Sequence, residues 1–303
     1  MYPEYEVARR QLAGYFGVRP SELVLANGAD DSLRVVMDVF LEPGASVLLV
    51  EPTFPMFRFY AALAGARIRT LRYDAEMRFP LAAVLRELAR RPRVFFLANP
   101  NNPTGTLLGR AALRQILEAA RDTAVVVDEA YAEFSGVTVL PWIRRYPNLI
   151  VVRTFSKAMG LAGLRLGFVI AGKELAALCR RTQPPFSVNT PALVAARAAI
   201  ADRVFPHKYV DQVNRSCSML SAWLARKGVR VFPSAASFLF ADFGPVGSRL
   251  AAALARQGIL IRDRSQDFDR PGFVRITLGT PAETRRLIRA LDAPLGKLTH
   301  QVL

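Results

Sequence analysis

Short apolar runs alternate with amphipathic segments along the first 170 residues, and this alternation limits the folds open to the chain. Seven runs have the length and composition of β-strands: residues 23–26, 46–50, 67–72, 94–98, 124–128, 149–153 and 166–170. Helical periodicity separates most of them, at residues 31–41, 55–64, 81–90 and 110–121. Strands that alternate with helices form a mainly parallel sheet covered by helices. We therefore predict an α/β domain built on a mainly parallel seven-stranded sheet.

The pattern changes after a Gln-Pro-Pro-Phe segment at residues 183–186. A long helical stretch follows at about 190–225, and further helices are predicted near 246–257 and 282–291. Four more strands are predicted, at residues 229–232, 237–241, 259–261 and 273–277. This part reads as a smaller α+β domain. We expect a large domain over residues 1–189, and a linking helix with the small C-terminal domain over residues 190–303.

Composition excludes several classes of protein. The chain has 303 residues, of which 51% are hydrophobic, and this is enough for two domains. It shows no apolar stretch long enough to span a membrane, and no secretion signal at its start. The two cysteines, Cys179 and Cys217, lie far apart, which favours a reducing cytoplasm over a disulfide framework. Only two histidines occur, and no His/Cys cluster has metal-ligand spacing, so we expect no metal.

The formal net charge of +16 has two interpretations. A basic chain can bind nucleic acid, or it can attract small anions. The arginines are scattered singly and in pairs along the chain, which favours a solvated surface. We therefore expect no nucleic-acid partner.

Polar residues follow four of the predicted strands. They lie in Asn-Gly-Ala-Asp at 27–30, Asn-Pro-Asn-Asn-Pro-Thr-Gly at 99–105, Asp-Glu-Ala-Tyr at 128–131, and the segment 154–165 that contains Ser156-Lys157. Ligands of such sheets bind outside the carboxyl ends of the strands. Singly, each residue has an ordinary explanation, since a strand-end Asp is often a helix cap and a strand-end lysine is often solvated. Together, they suit a phosphorylated pyridine whose aldehyde needs an amine.

With these motifs the chain resembles the fold-type I pyridoxal-phosphate enzymes of the aminotransferase class. The resemblance runs from about Tyr2 to the final helix, and its most specific part is the ordered set Asn102-Pro103-Thr104-Gly105, Asp128-Glu129-Ala130-Tyr131 and Ser156-Lys157 with Arg165. It implies a pyridoxal 5'-phosphate cofactor, an amino donor and a 2-oxo acid as substrates, and a homodimer.

The resemblance also implies individual roles around the cofactor ring. Lys157 would hold the cofactor as a Schiff base and then move the substrate Cα proton. Asp128 would pair with the pyridine nitrogen. Tyr131 and Asn102 would hydrogen-bond the ring oxygen. Phe54 would stack on the ring, where many relatives carry tyrosine or tryptophan.

The implied phosphate site uses the start of a helix and three side chains. Backbone N–H groups of Ala29 and Asp30 would bind the anion, because a helix N-terminus attracts negative charge. The Asp30 carboxylate itself is expected to point away or to cap the helix. The remaining contacts would come from Thr154, Ser156 and Arg165, and from Tyr2 of the other subunit.

The C-terminal segment, with Arg262 and Arg275, resembles the histidinol-phosphate aminotransferase branch. These two arginines would bind the substrate phosphate, and in the second half-reaction the carboxylates of glutamate and 2-oxoglutarate. The alternative for Arg262 is a surface ion pair with Asp263 or Asp267. An aromatic-amino-acid aminotransferase or a threonine-phosphate decarboxylase on the same scaffold stays open. A non-catalytic cofactor-binding regulator is disfavoured, because the chain has no room for a DNA-binding domain.

One departure from the family concerns the N-terminus. Relatives carry an additional segment with a Leu-Ser-x-Asn-Glu-Asn-like stretch, which lines the substrate site and packs on the small domain. The present sequence starts at the Tyr2-Pro3 that follows this segment in relatives. Without this segment the cofactor site is expected to remain, while closure over the substrate and activity stay open. A mis-assigned start codon, a true truncation and an inactive truncated product stay open.

Overall fold

A computed structural model describes residues 3–268 and 270–300. A seven-stranded sheet forms its centre, with β1 Leu23–Ala26, β2 Ser46–Glu51, β3 Arg67–Arg72, β4 Val94–Ala98, β5 Ala124–Asp128, β6 Leu149–Thr154 and β7 Gly167–Ala171. The strand order is β1-β7-β6-β5-β4-β2-β3, and β7 alone runs antiparallel to its neighbours. The prediction of a mainly parallel seven-stranded sheet is therefore confirmed.

Helices cover both faces of this sheet: α1 Tyr5–Phe16, α2 Gly28–Phe40, α3 Pro55–Leu63, α4 Leu81–Leu88, α5 Arg110–Ala119, the short α6 Ala132–Ser135 and α7 Lys173–Thr182. Sequence analysis missed α1 and α7. Both helices are polar overall and bury few residues, such as Ala8 and Leu12 in α1 and Ala176 and Cys179 in α7, so they offer few apolar positions to recognise.

A second, four-stranded antiparallel sheet has the order β10-β11-β9-β8. This second part of the chain consists of α8 Thr190–Ala201, α9 Val204–Arg226, β8 Arg230–Phe232, β9 Phe238–Asp242, α10 Gly247–Ala255, β10 Arg262–Asp263, β11 Phe273–Thr277 and α11 Pro281–His300. A separate apolar cluster, which includes Leu220, Phe238, Leu250 and Ile276, forms its core. The division of the chain into domains at residues 189 and 190 stays a prediction.

Two predictions for this second part are wrong. The single helix over 190–225 is two helices, because the Asp202 carboxylate accepts hydrogen bonds from the N–H groups of Val204 and Phe205 and starts a new helix there. Residues 259–261 are not a strand. The N–H of Ile259 bonds back to the carbonyl of Leu254, which completes the end of α10, and pairing with β11 begins only at residue 262.

Among the described residues, no helix combines the length and apolar character that crossing a bilayer requires. Within the same residues, no group of three or more His, Cys, Asp or Glu side chains is placed to hold a metal ion.

Candidate active site

A cavity of about 310 Å³ opens at the carboxyl ends of the central strands. Its lining is made of Ala29, Asp30, Phe54, Ala98, Pro100, Asn102, Asp128, Ala130, Tyr131, Thr154, Ser156, Lys157, Ala162, Arg165 and Arg275. The structure thus brings together every residue predicted for the site except two. Tyr2 lies outside the described residues, and Arg262 does not line the cavity.

Asp128 is the buried acid of the cavity. It ends β5, and its Oδ1 accepts a hydrogen bond of 3.0 Å from the backbone N–H of Ala130. Burial raises the pKa of the Asp128 carboxyl to about 6, although the Ala130 N–H and the positive charge of Lys157 oppose the rise. A cation placed against this carboxylate would therefore be held strongly, because it would compensate a charge that burial leaves poorly solvated.

Lys157 supplies the amine. It follows β6 in a turn closed by the Gly160 N–H on the Lys157 carbonyl, and its Nζ lies 5.5 Å from the centre of the Tyr131 ring. Burial lowers the pKa of the Lys157 amine, and the nearby Arg275 lowers it further, while Asp128 acts in the opposite direction. A lowered pKa increases the neutral fraction of the amine, which is the form that attacks a carbonyl and accepts a proton.

A set of groups suited to bind an anion shares the cavity with the amine. The start of α2 presents Ala29 and Asp30, and β6 ends in a bonded pair of hydroxyls in which Thr154 Oγ1 donates to Ser156 Oγ at 2.9 Å. Arg165, in the left-handed region at φ 57°, adds a guanidinium group. Helix N–H groups, hydroxyls and a guanidinium together match a phosphate group.

The Asp30 side chain departs from the prediction. Its carboxylate neither points away from the site nor caps α2. It pairs with Arg165 at 3.1 Å, and both residues line the cavity. The Asp31 carboxylate instead accepts the N–H of Asn27 at the start of the helix.

Gly167 and Gly28 allow the start of α2 to lie directly against β7. A Cβ on Gly167 would contact the Gly28 carbonyl and lie 2.6 Å from the Ala29 nitrogen, so this packing excludes any side chain. Gly28 itself has φ 84°, and a Cβ there would lie 2.6 Å from the Arg165 guanidinium. Sequence analysis missed Gly167, since nothing in the sequence shows which backbone it approaches.

Replacing Gly167 with alanine should displace the start of α2. We expect the cofactor-free protein to lose roughly 1–3 kcal/mol of stability from overpacking. The affinity for pyridoxal phosphate should fall in parallel, because the displaced N–H groups belong to the anion site. Thermal denaturation and cofactor titration measure the two effects. Gly109→Ala is the control, since a Cβ there meets nothing within 4 Å. Unchanged affinity in Gly167→Ala would show that the α2 start does not bind the cofactor.

Arg275, on β11, closes the cavity from the side of the small sheet. Its Nη1 donates a hydrogen bond of 2.6 Å to Asn102 Oδ1, and its guanidinium lies 5.3 Å from the centre of the Phe238 ring. Its Nε is buried without a hydrogen-bond partner among the described residues. Burial lowers the pKa of the Arg275 guanidinium and raises the pKa of the neighbouring Tyr131 to about 12. An anion that reached Arg275 would find an unsatisfied donor in a poorly solvated place.

Arg262 lies directly opposite Arg275 in the antiparallel pairing, so both side chains leave the same face of the sheet. Arg262 is exposed. No ion pair joins it to Asp263 or Asp267 in the described part of the chain. Asp267 pairs with the buried Arg264 at 2.5 Å instead.

A buried hydrogen-bond network beneath the cavity was not predicted. Thr53 Oγ1 donates to Asn101 Oδ1 at 2.8 Å, and Asn101 Nδ2 donates to Thr104 Oγ1 at 2.8 Å. The network joins the loop that carries Phe54 to the loop that carries Asn102. The sequence feature that could have predicted this network is the number of amide and hydroxyl groups at residues 99–105, since buried polar groups require hydrogen-bond partners.

The sheet is mainly parallel, and an amine, a buried carboxylate and an anion site lie together at its strand ends. This arrangement is typical of an α/β transferase. The family model described as aminotransferase class I and II matches residues 2–291. The chain therefore belongs to the class I and II aminotransferase family.

Individual relatives agree with this assignment. Histidinol-phosphate aminotransferase 2 of Methylococcus capsulatus is 37% identical, over 97% of this chain and 82% of the relative. Histidinol-phosphate aminotransferase of Symbiobacterium thermophilum is 36% identical, over 98% of this chain and 83% of the relative. The crystal structure of histidinol-phosphate aminotransferase from Sinorhizobium meliloti in complex with pyridoxal 5'-phosphate superimposes with a TM-score of 0.88 at 28% identity, covering 98% of this chain and 84% of that one.

Proposed function

We propose that this protein is a histidinol-phosphate aminotransferase, which transfers the amino group of histidinol phosphate to 2-oxoglutarate in histidine biosynthesis. The observation that carries the proposal is the single cavity in which Lys157, Asp128 and Arg275 meet an anion site. The relatives at 36% and 37% identity, which bear that name, support the choice of substrate.

The residues of the cavity fit pyridoxal 5'-phosphate as its cofactor. The buried Asp128 carboxylate suits the ring nitrogen, and the Lys157 amine suits the aldehyde. The start of α2, with Thr154, Ser156 and Arg165, suits the phosphate. Phe54 lies in the lining as a flat apolar contact for the ring, and Asn102 with Tyr131 suits the ring oxygen.

The chemistry divides between the cofactor and the chain. When bound, the cofactor supplies an electron sink for the negative charge that develops at the substrate Cα. Asp128 would stabilise a protonated ring nitrogen, because an ion pair relieves the cost of its buried charge. Lys157 would accept the proton from the substrate Cα and deliver it to the cofactor carbon C4', and burial favours the neutral amine that this step requires.

Arg275 would orient the substrates. A bound anion, the phosphate of one substrate or the carboxylate of the other, can use the donor that now lacks a partner. Arg262, on the same sheet face, would add positive charge near Arg275. Two cations would allow one site to accept the phosphate of one substrate and the carboxylates of the other.

We further propose a cytoplasmic homodimer with shared active sites and no nucleic-acid partner. The sequence resemblance supports the dimer, through the position of Tyr2. The two cysteines are free, which suits a reducing compartment.

The proposal predicts a substrate preference. With 2-oxoglutarate as acceptor, we expect kcat/KM for histidinol phosphate to exceed that for phenylalanine at least about 100-fold, because phenylalanine lacks the phosphate. A coupled glutamate assay measures both rates. Equal rates would favour an aromatic-amino-acid aminotransferase. Release of CO2 from threonine phosphate, without glutamate formation, would identify a decarboxylase.

A further inference from the structure

A largely buried cluster of three charged side chains lies close to the cavity in sequence but does not line it. Arg153 Nη1 donates a hydrogen bond of 2.9 Å to Glu133 Oε1, and Arg153 Nε lies 3.3 Å from Glu129 Oε2. The side chains are 11%, 19% and 1% exposed for Arg153, Glu133 and Glu129. We call these three residues the ion cluster.

Two members of the ion cluster, Arg153 and Glu129, are adjacent in sequence to residues that line the cavity. Successive side chains of a strand point to opposite faces, so Arg153 and Thr154 diverge at the end of β6. Asp128 and Glu129 diverge in the same way at the end of β5. The Glu129 N–H bonds the Val152 carbonyl at 2.9 Å, so the two strand ends are still paired at this point.

The two carboxylates bracket a short functional segment. Glu129 and Glu133 stand on either side of Ala130 and Tyr131. Ala130 donates the hydrogen bond that Asp128 accepts, and Tyr131 lines the cavity. Through its two carboxylate contacts, Arg153 therefore holds both ends of the segment 129–133 to β6, the strand that leads into Lys157.

Neighbouring residues also contact the ion cluster. Glu129 accepts hydrogen bonds from Thr138 Oγ1 at 2.6 Å and from the Val139 N–H at 2.7 Å. The Phe16 ring lies 5.8 Å from the Arg153 guanidinium. One cation faces two buried carboxylates, so removing it would leave like charges together in a place with little solvent.

We propose that Arg153 is a positioning residue of the active site. It sets the distance from Asp128, at the end of β5, and the nearby Tyr131 to Lys157, which follows β6. Arg153 itself does not line the cavity. The inference rests on the proposed function, since it concerns how the cofactor is held.

The test compares Arg153→Met and Arg153→Lys with the wild-type protein. Lysine keeps the charge but cannot reach two carboxylates with a planar fork. We expect both variants to bind pyridoxal phosphate about tenfold more weakly, as is usual when a group that orients a ligating side chain is lost. The pH titration of the bound cofactor's absorbance should shift by at least about half a pKa unit, because the distances from Asp128 and Lys157 to the ring change.

Arg144→Met is the matched control. Arg144 pairs with the buried Glu22 through two hydrogen bonds of 2.8 and 2.9 Å, and neither residue lines the cavity. The Arg144→Met variant should have a lower thermal midpoint than the wild-type protein, with unchanged cofactor affinity and absorbance titration.

Two results would overturn the inference. Arg153 variants that lose stability as Arg144→Met does, yet keep wild-type affinity and absorbance titration, would overturn the inference alone. If Arg153→Met does not fold, Arg153→Lys and Glu133→Gln carry the test, because Glu133→Gln keeps the Arg153–Glu129 pair and loosens only the α6 end. Wild-type protein that binds no pyridoxal phosphate would overturn the proposed function, and the inference with it.

Discussion

Replacing Lys157 with alanine is expected to abolish amino transfer while the fold survives. The change removes the amine that we propose holds the cofactor and acts as the base that moves the Cα proton. General-base catalysis alone contributes about 10²–10⁴-fold, so we expect kcat to fall by at least about 10⁴-fold once both functions are lost. Single-turnover measurements with purified histidinol phosphate would quantify the residual rate.

Stability should separate this effect from misfolding. Lys157 makes no ion pair among the described residues, and burial disfavours its charge, so alanine should leave the thermal midpoint unchanged or slightly raised. Lys173→Ala, at the exposed start of α7, is the control for losing a lysine and should keep full activity. A Lys157→Ala protein that retained more than about a hundredth of the wild-type rate would exclude Lys157 as the base.

Replacing Asp128 with asparagine should reduce activity and raise stability at the same time. Asparagine can still accept the Ala130 N–H but cannot stabilise a protonated ring nitrogen. We expect kcat to fall about 10³-fold, the scale typical of removing a group that stabilises developing charge. Activity assays and thermal denaturation of the cofactor-free protein measure the two effects.

The stability effect has a definite pH dependence. The pKa of Asp128 is raised in the folded protein from 3.8 to about 6, so the folded state binds the proton more tightly than the unfolded chain. The carboxyl therefore costs stability above pH 6, at most roughly 3 kcal/mol, and progressively less as the pH falls toward 4. Asp128→Asn should exceed the wild-type midpoint at pH 8 and equal it near pH 4.

A second carboxyl provides a control of opposite sign. Hydrogen bonds from the Arg78 backbone and guanidinium lower the pKa of Asp74, which lies outside the cavity. Asp74→Asn should therefore lose stability at pH 8 and not gain it. A stability difference for Asp128→Asn that did not change between pH 4 and pH 8 would contradict the raised pKa of Asp128.

Much of the site could be predicted because strand ends are local features of a sequence. The ends of β5 and β6 are marked by a change from apolar to polar residues, and a parallel sheet brings such ends to one edge. Asp128, Tyr131, Ser156 and Lys157 were all found in this way. The sequence could not show what each side chain pairs with. The Asp30–Arg165 and Asn102–Arg275 contacts join residues 135 and 173 positions apart.

The wrongly predicted strand at residues 259–261 has the same cause, because the sequence does not show which segments pair. An Ile-Leu-Ile run is typical of a strand, yet residues 259–261 finish the end of α10, and Leu260 is 84% exposed. The local composition favoured a strand, but the pairing with β11 includes only residues 262 and 263, so residues 259–261 form no strand. The ion cluster was missed because the sequence does not show that the side chains of Glu129, Glu133 and Arg153 contact one another.

The position of β7 between β6 and β1 affects the order in which parts of the protein can fold. The start of α2 leaves the ribosome early, but it cannot pack until Gly167 arrives, and Arg275 follows more than one hundred residues later. Closure of such non-local contacts is slow compared with helix formation. Pyridoxal phosphate would therefore stabilise only the finished protein, by mass action. Vitamin B6 shortage in a cell should then lower the amount of this enzyme as well as its specific activity, because unliganded molecules would be degraded faster.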